Sequence, residues 1–595
     1  AEALAGSLVN NSGIVRANAN EERGGQIFIT GDRVVSTGSL QADGTGSDNA
    51  GRIVAKGDMA RGSLELSGTI SARAEGGRGG EVETSAAQVS FAAAARVDTR
   101  SAAGTHGHWL IDPTDFTVSA GAAPSTPTGI GAQTLSANLE LGHVSLATAA
   151  TGDGNGDLFV LGSVSWGNST TLSLTAVRHV EVGADISATG DGSLVINTGT
   201  SGRFTLATGS VIRLPGSGSF TLNNIGFTKL RSAAELQQIA LNGNYILAND
   251  IDVSGVANWN PIGNEASATL SAANSFTGRL DGLGRSLTGL LNIEQATAQN
   301  SGLFASLSGA TVRNLQIEQA RVVGGIRAGG LAGSANGATQ IENVRIGTLA
   351  PAGADPITVA ASSTNAAVYA GGLLGAVPAG TSVSLSRVEV GLGGDADAGR
   401  DITASSTAGG SQAGGVAGEM LSGRIETARV HADVRTTGVG ALAGGVVGDA
   451  TASIVGAGGI AGRWTAPTGG EFRGNRSESG ISGGGNVGGL IGHALGTGAI
   501  SDSAATGAVS TTADESLQSI KKAADSFSVA ASNISSGKGL LGALMNDQRL
   551  MADFRDLIYN FKVNGPLWNK DTAEKLRSGE QKKQTEEQPK RGIFR

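Results

Sequence analysis

The sequence predicts an all-β chain, a right-handed parallel β-helix (β-solenoid) with a short α-helical carboxyl-terminal tail. Three observations carry that prediction. The first is a phrase of small residue, glycine, large aliphatic, small residue and glycine. It is written as Gly329-Gly330-Leu331-Ala332-Gly333, Gly371-Gly372-Leu373-Leu374-Gly375 and Gly414-Gly415-Val416-Ala417-Gly418. It returns as Gly444-Gly445-Val446-Val447-Gly448, Gly458-Gly459-Ile460-Ala461-Gly462 and Gly488-Gly489-Leu490-Ile491-Gly492, with a degenerate opener at Gly302-Leu303-Phe304. The gaps run from about 14 to about 43 residues, inside or near the range of solenoid repeats. A unit of this kind cannot bury its apolar face alone and stacks on its neighbours. The second is composition: 95 glycines and 11 prolines in 595 residues, a glycine share more than twice the usual with too little proline for collagen. The third is a rhythm of glycine, short strand and turn at intervals of roughly 10–15 residues in residues 1–118.

Composition also excludes. With 39% hydrophobic and 16% charged residues the chain is too poorly charged for a disordered polymer. The net charge of −8 divides into −11 on residues 1–510 and +3 from Thr511 onward. An acidic body lacks the basic stripe that nucleic-acid binding needs. Nothing resembles a run of about 18 apolar residues, so no helix is expected to span a membrane. Cysteine is absent, which suits a protein that crosses a pore unfolded and is secreted. Ala1 is neither an initiator methionine nor the start of a signal sequence, and the chain reads as a mature or internal piece of something longer.

In order along the chain, Gly24-Gly25-Gln26-Ile27-Phe28-Ile29, Gly51-Arg52-Ile53-Val54-Ala55 and Gly79-Gly80-Glu81-Val82-Glu83-Thr84 are strands opened by glycine. Gly38-Ser39-Leu40-Gln41-Ala42 and Gly68-Thr69-Ile70-Ser71-Ala72 lie between them. Their Ile and Val are expected to point inward and stack on the next coil, with Gly and Asn at the corners. The run ends in Trp109-Leu110-Ile111-Asp112-Pro113-Thr114-Asp115-Phe116. Here the chain resembles the filamentous-haemagglutinin family of two-partner-secreted bacterial adhesins, in which such a Trp-Leu-Ile-Asp-Pro phrase closes a run of glycine-rich coils. The resemblance implies β-helix coils over residues 1–118 and secretion through an outer-membrane pore of a Gram-negative cell. The family's amino-terminal secretion domain has no evident counterpart in residues 1–118. Residues 119–227 continue the style, at Asn138-Leu139-Glu140, Gly156-Asp157-Leu158-Phe159-Val160 and Thr171-Leu172-Ser173-Leu174.

A second texture begins near Leu230. Tyr245 to Val253, Trp259-Asn260-Pro261-Ile262-Gly263 and Phe276 to Gly284 lead into the glycine phrases, some of them followed by an alternating strand such as Ile341-Glu342-Asn343-Val344-Arg345-Ile346. This order resembles the GLUG repeats of large bacterial surface proteins and implies a repeat solenoid over residues 228–510. From 511 to 577 Leu517, Ala524 and Ala531 interleave with Ile520, Phe527 and Ile534 at heptad spacing, which predicts an amphipathic helix. Lys538 to Asp571, through Gly565-Pro566-Leu567-Trp568, resembles the end of MCE-type (MlaD-like) lipid-transport proteins. Residues 578–595, rich in Gln, Glu and Lys, read as disordered.

Candidate chemistry is sparse. Gly483, Gly485 and Gly488 fit a dinucleotide-binding glycine pattern, but lack the βαβ setting that gives the pattern meaning. Asp153, Asn155 and Asp157 have the spacing of a calcium loop, yet Leu158 and Val164 stand where the loop's glycine and glutamate belong. His106 and His108 share one face of a strand and could begin a metal site, with no third ligand suggested nearby. Asp250 and Asp252 could serve a glycosidase as acid and base, or act as turn and strand-end residues. Lys56-Gly57-Asp58 is an integrin-like tripeptide. No catalytic, cofactor-binding or metal-ligating residue is assigned, and no cofactor is expected.

These readings converge on a non-enzymatic adhesin, secreted to the bacterial surface, that displays a rigid solenoid to host-cell glycans or proteins. At about 4.8 Å per coil and some 20–25 coils, residues 1–510 would make a rod on the order of 100 Å. The alternatives are a polysaccharide-acting enzyme on the same scaffold, or a periplasmic lipid-transport component judged from the tail.

Overall fold

A computed structural model describes residues 7–18, 24–150, 154–264, 266, 271–348, 356–391, 400–407, 409–437 and 442–444, and short strands between Val447 and Thr511. The chain divides into two compact units, Ala1–Ser510 and Thr511–Arg595. The heptad segment, the MCE-like segment and the terminal tail fall outside the described residues.

In the first unit almost all pairing is parallel and joins each turn of the chain to the turn before and after it. On one side Gln26–Thr30, Arg52–Lys56, Glu81–Ser85, His108–Asp112, His143–Ala147, Thr171–Thr175, Ser193–Asn197 and Phe220–Leu222 lie in register. One inward column therefore reads Ile27, Ile53, Val82, Trp109, Val144, Leu172, Leu194 and Phe220, every member buried. Outward neighbours along most of these strands, such as Gln26, Arg52 and Glu81, are polar, because side chains alternate faces with period two. The glycine-opened segments of the sequence are thus strands, and the repeat-like parallel arrangement fits a β-helix.

The Trp-Leu-Ile-Asp-Pro phrase is a core element. Trp109 is 1% exposed, stands edge-on to Phe91 at 5.0 Å, and donates from Nε1 to Thr84 Oγ1 (2.9 Å). Phe116 packs edge-on to the same Phe91 at 6.4 Å. The aromatic cluster fills the interior where the turns change shape. Just beyond it the chain departs from continuous strand: Gly129–Gly131 inserts between Gln88–Phe91 and Phe116–Ser119, and an α-helix, Ala132–Leu139, takes the place of a strand on the third side. That helix corrects the expectation of unbroken β-coils around Asn138-Leu139-Glu140.

Seating a helix in a strand's place leaves neighbouring ladders short of partners, and its side chains supply them. Asn138, 1% exposed, accepts from the Val97 N–H (2.7 Å) and donates to Ala95 O (3.2 Å), as a peptide group of a strand would. On the other side Ser136 Oγ accepts the Ser165 N–H (2.9 Å). The pairing of Arg96–Asp98 with Thr69–Ser71 is thereby closed off without an orphaned N–H.

After Phe220–Leu222 comes the one antiparallel pair among the described strands, a hairpin with Ile225–Leu230 turning on Asn223 and Asn224, both with positive φ (49° and 61°). Asparagine tolerates that region better than other side chains with a Cβ. The sheet continues in parallel through Asn244–Leu247, Arg279–Asp281, Thr311–Gly324, Gln340–Ile346, Ser384–Val390 and Arg424–Val430. The core changes sides at this point. Leu230, Tyr245 and Leu247 belong to the second apolar core, while Ile246, between the latter two, belongs to the first. Strand direction and core face reverse together, so the two stacks wind with the same hand.

In the second stack the glycine phrases are corners. Arg327–Gly329 ends and Ala332–Asn336 begins within one phrase, as do Val368–Gly371 and Leu374–Val377 in the next. Leu331, Leu373 and Val416 are fully buried there. A Cβ on Gly330 would lie 2.5 Å from Gly372 O, and one on Gly372 would lie 2.3 Å from Gly415 O. Glycine is required because successive corners stack backbone on backbone. Asn314, Asn343, Arg387 and Thr427 form a second column, each bending its strand with φ between 51° and 56°.

Replacing Asn138 with Ala should cost about 2 kcal/mol, since it strands a buried donor and acceptor; chemical denaturation would show it. Thr427→Asn should act oppositely and stabilise by about 1 kcal/mol, because a β-branched residue in the left-handed region is strained.

Candidate functional site

The structure places the sequence candidates as follows. His106 and His108 are joined by His143, whose strand pairs with that of His108 on the next turn. The His106 and His143 rings are 6.5 Å apart, and Glu81 Oε2 lies 3.6 Å from His108 Nδ1. The turn bearing the helix is longer than its neighbours, so even spacing could not have revealed His143. Proton placement argues against ligation. His143 Nδ1 accepts the Thr171 N–H (2.9 Å) and His106 Nδ1 accepts the Ser101 N–H (3.1 Å). In the neutral ring the proton then sits on Nε2, which leaves no lone pair for a metal. Among the described residues no group of three or more His, Cys, Asp or Glu is arranged to hold a metal ion.

Of the calcium-like loop, Asp153 falls outside the described residues. The N–H groups of Asn155 (3.0 Å) and Asp157 (2.8 Å) both point at Asp115 Oδ1. Asp157 itself is bound by Arg178 through Nε (2.8 Å) and Nη2, and that hydrogen bond holds its carboxyl below the usual range. The loop encloses a carboxylate and so offers donors where a cation needs oxygens.

Asp250 accepts from Arg285 Nη1 (3.2 Å) and the Ser286 N–H (2.9 Å). Asp252 accepts the Ser254 N–H (2.9 Å), and hydrogen bonds from Ser254 lower its pKa, the wrong direction for a general acid. In Lys56-Gly57-Asp58, Lys56 lies 3.6 Å from Glu83 and Asp58 closes a turn by accepting the Ala60 and Arg61 N–H groups. Gly483 and Gly488 each end a short strand, whereas a dinucleotide fold carries the last glycine into a helix; Gly485 falls outside the described residues.

Sequence reasoning missed two clusters. On the outer face of the first stack Glu83 stands between Arg52 (3.2 Å) and Lys56 (3.6 Å). Asp112, one strand further and diagonal to it, has its pKa raised first by burial; Lys56 lowers it and Glu83 raises it further. The second cluster is the joint between the stacks. Asp281, 1% exposed, pairs with Arg313 Nε at 2.7 Å. It also accepts from the Leu283 N–H (2.9 Å) and Asn314 Nδ2 (3.0 Å). Asn343 donates to Asn314 Oδ1 (2.9 Å) and to Leu206 O of the first stack (3.3 Å). The Arg313 guanidinium lies 5.1 Å from the Phe204 ring centre. Beside this network opens a cleft of about 370 Å³ lined by residues of both stacks, among them Asn223, Phe227, Arg279, Thr311 and Gln340.

Among curated proteins, the chain is similar to halomucin of Haloquadratum walsbyi (strain DSM 16790 / HBSQ001), with 32% identity over 170 residues, 26% of this chain and 2% of halomucin. The chain thus spans a small fraction of that relative's length. No family profile matches the chain, and no solved structure matches it. No helix among the described residues is long and apolar enough to cross a membrane.

Burial, and the charges of His106 and His108 after it, lower the pKa of His143; Glu81 opposes them. A histidine with a depressed folded pKa stabilises above its unfolded value, near 6.5, and loses that contribution as pH falls through it toward the folded pKa. The melting midpoint should therefore drop as pH falls from about 8 to 5, and His143→Gln, which keeps an acceptor but cannot protonate, should flatten that drop. Asp281→Ala should lower stability by about 3–5 kcal/mol by leaving Arg313 unpaired, measured by denaturant unfolding.

Proposed function

We propose that this chain is a non-enzymatic adhesin of the bacterial surface or surroundings, wound as a right-handed β-solenoid and exported through an outer-membrane pore. The observation that carries the reading is the use made of its polar groups. The metal, cation, acid–base and integrin-like candidates among the described residues are spent on bonds within the protein. Part of what faces outward is a run of small polar side chains, such as Thr171 beside Ser193 and Ser145 beside Ser173. Rows of this kind offer many weak contacts to host-cell glycans or proteins, and attachment strength comes from multivalency. Similarity to a stretch of halomucin accords with an extracellular setting.

A second reading has one observation in its favour. Glu83 stands between Arg52 and Lys56, and Asp112, diagonal to it on the next strand, is pushed by burial toward its protonated form, so one candidate general acid has a second carboxylate beside it. A polysaccharide-cleaving enzyme on this face would lose activity in Glu83→Gln and Asp112→Asn.

Beads coated with the full chain should attach to epithelial cells or a glycan array with a steep dependence on coating density. Absence of attachment at any density would sink the adhesive reading. Release of reducing ends from a polysaccharide panel, abolished by the Glu83 and Asp112 variants, would replace it with the enzymatic one.

A further inference from the structure

The joint cleft holds side chains left over from the bonding that closes the joint. Arg279, Thr311 and Gln340 occupy one register position on three successive turns. Their neighbours Leu280, Val312 and Ile341 point into the core, so these three leave the outer face in a row with a spacing of roughly 4.8 Å. Among the described residues the Thr311 hydroxyl and the Gln340 amide make no hydrogen bond, and Arg279 has a single long one, 3.5 Å to Asn244 Oδ1. In line with the row, two strands before Arg279 and beyond Asn244, stands Phe227, which also lines the cleft, half-buried and braced edge-on by Phe220 at 5.4 Å. Asp281 is already neutralised by Arg313, which leaves Arg279 as the cleft's uncommitted cation. The cleft is therefore polar, singly positive and bounded at one end by an aromatic ring.

We infer that this cleft binds the carboxylate-bearing sugar unit of an acidic glycan. Arg279 takes the carboxylate, Thr311 and Gln340 take ring hydroxyls, and Phe227 packs on the apolar face of the ring. A planar guanidinium matches a planar carboxylate through two parallel hydrogen bonds. A polysulfated chain would instead need a row of cations, and this row continues from arginine into threonine and glutamine. The cleft volume, about 370 Å³, is at the small end for ligand sites and suits one or two sugar units. The inference rests on the adhesive reading and names the chemistry of one of its ligands.

Titration calorimetry of the full chain with a hexuronate trisaccharide, its carboxyl-reduced counterpart and a sulfated neutral trisaccharide tests it. The uronate should bind, and the reduced sugar should bind at least about tenfold more weakly, as expected when a paired, charge-assisted contact is lost. Arg279→Gln should weaken uronate binding by a similar factor while keeping the parent melting midpoint. Arg424→Gln, at the same register position on a later turn and paired with Glu426, should bind as the parent does. Equal affinity for the reduced sugar, preference for the sulfated one, or parental affinity in Arg279→Gln would overturn the inference. Attachment to cells without uronate binding would remove the cleft and leave the adhesive reading standing. Uronate binding without attachment to any surface would keep the cleft and remove that reading.

Discussion

One backbone ladder serves two cores that lie on opposite sides of it, and the arrangement of the first unit depends on how that exchange is made. Between Leu222 and Leu230 the chain reverses direction on Asn223 and Asn224, and the buried face of the sheet changes in the same stroke. Either change alone would oblige the later turns to wind with the opposite hand. Made together they preserve it, so the twist that favours one hand in strands and their connections is never opposed. The exchange also brings outward positions of the second stack against the last turn of the first. Asp281, Arg313, Asn314, Asn343 and Arg387 are among the polar residues found there. Buried polar groups are tolerable only when each is bonded, and the run from Asp281 to Leu206 O meets that condition.

Close backbone approach is the second constraint. At Gly330 and Gly372 the neighbouring turn's carbonyl occupies the space a Cβ would need, while the aliphatic residue that follows fills the interior. The glycine phrase is thus a steric requirement read out once per turn. The left-handed bend at Asn314, Asn343, Arg387 and Thr427 is a weaker requirement. Asparagine meets it with a side-chain bond to the adjacent turn and arginine does likewise through Glu342, but arginine and threonine occupy the region at a cost in strain.

Much of this was legible in the sequence because stacking repeats a local rule. Glycine-opened segments such as Gln26–Thr30 and Arg52–Lys56, and the alternation in Gln340–Ile346, are strands for reasons confined to a few residues. Ala132–Leu139 was not legible: its Thr, Ser and Asn are indifferent helix formers, and the decisive fact is the gap it fills between Val97 and Ser165. The clustering of His143 with His106 and His108 depends on the length of one irregular turn. Asp250 and Asp252 were visible as carboxylates, but their partners Arg285, Ser286 and Ser254 turn them from candidate reagents into fastenings. The cleft was invisible because Phe227 and Arg279 come to line one space only through the exchange of faces at the hairpin.

The helix in place of a strand has a consequence for how the chain finds its arrangement. A pile of similar turns is nearly degenerate under a shift by one whole turn, since each inward column meets an equivalent aliphatic again. Such shifted pairings are kinetic traps of repetitive chains. One turn here differs from the rest: Ala95 and Val97 on one side and Ser165 on the other present the backbone groups that Asn138 and Ser136 complete. A pile assembled one turn out of phase would bury that amide and hydroxyl against occupied ladders. The helix thus works as a phase mark, an aperiodic element that lets a periodic molecule count its own turns.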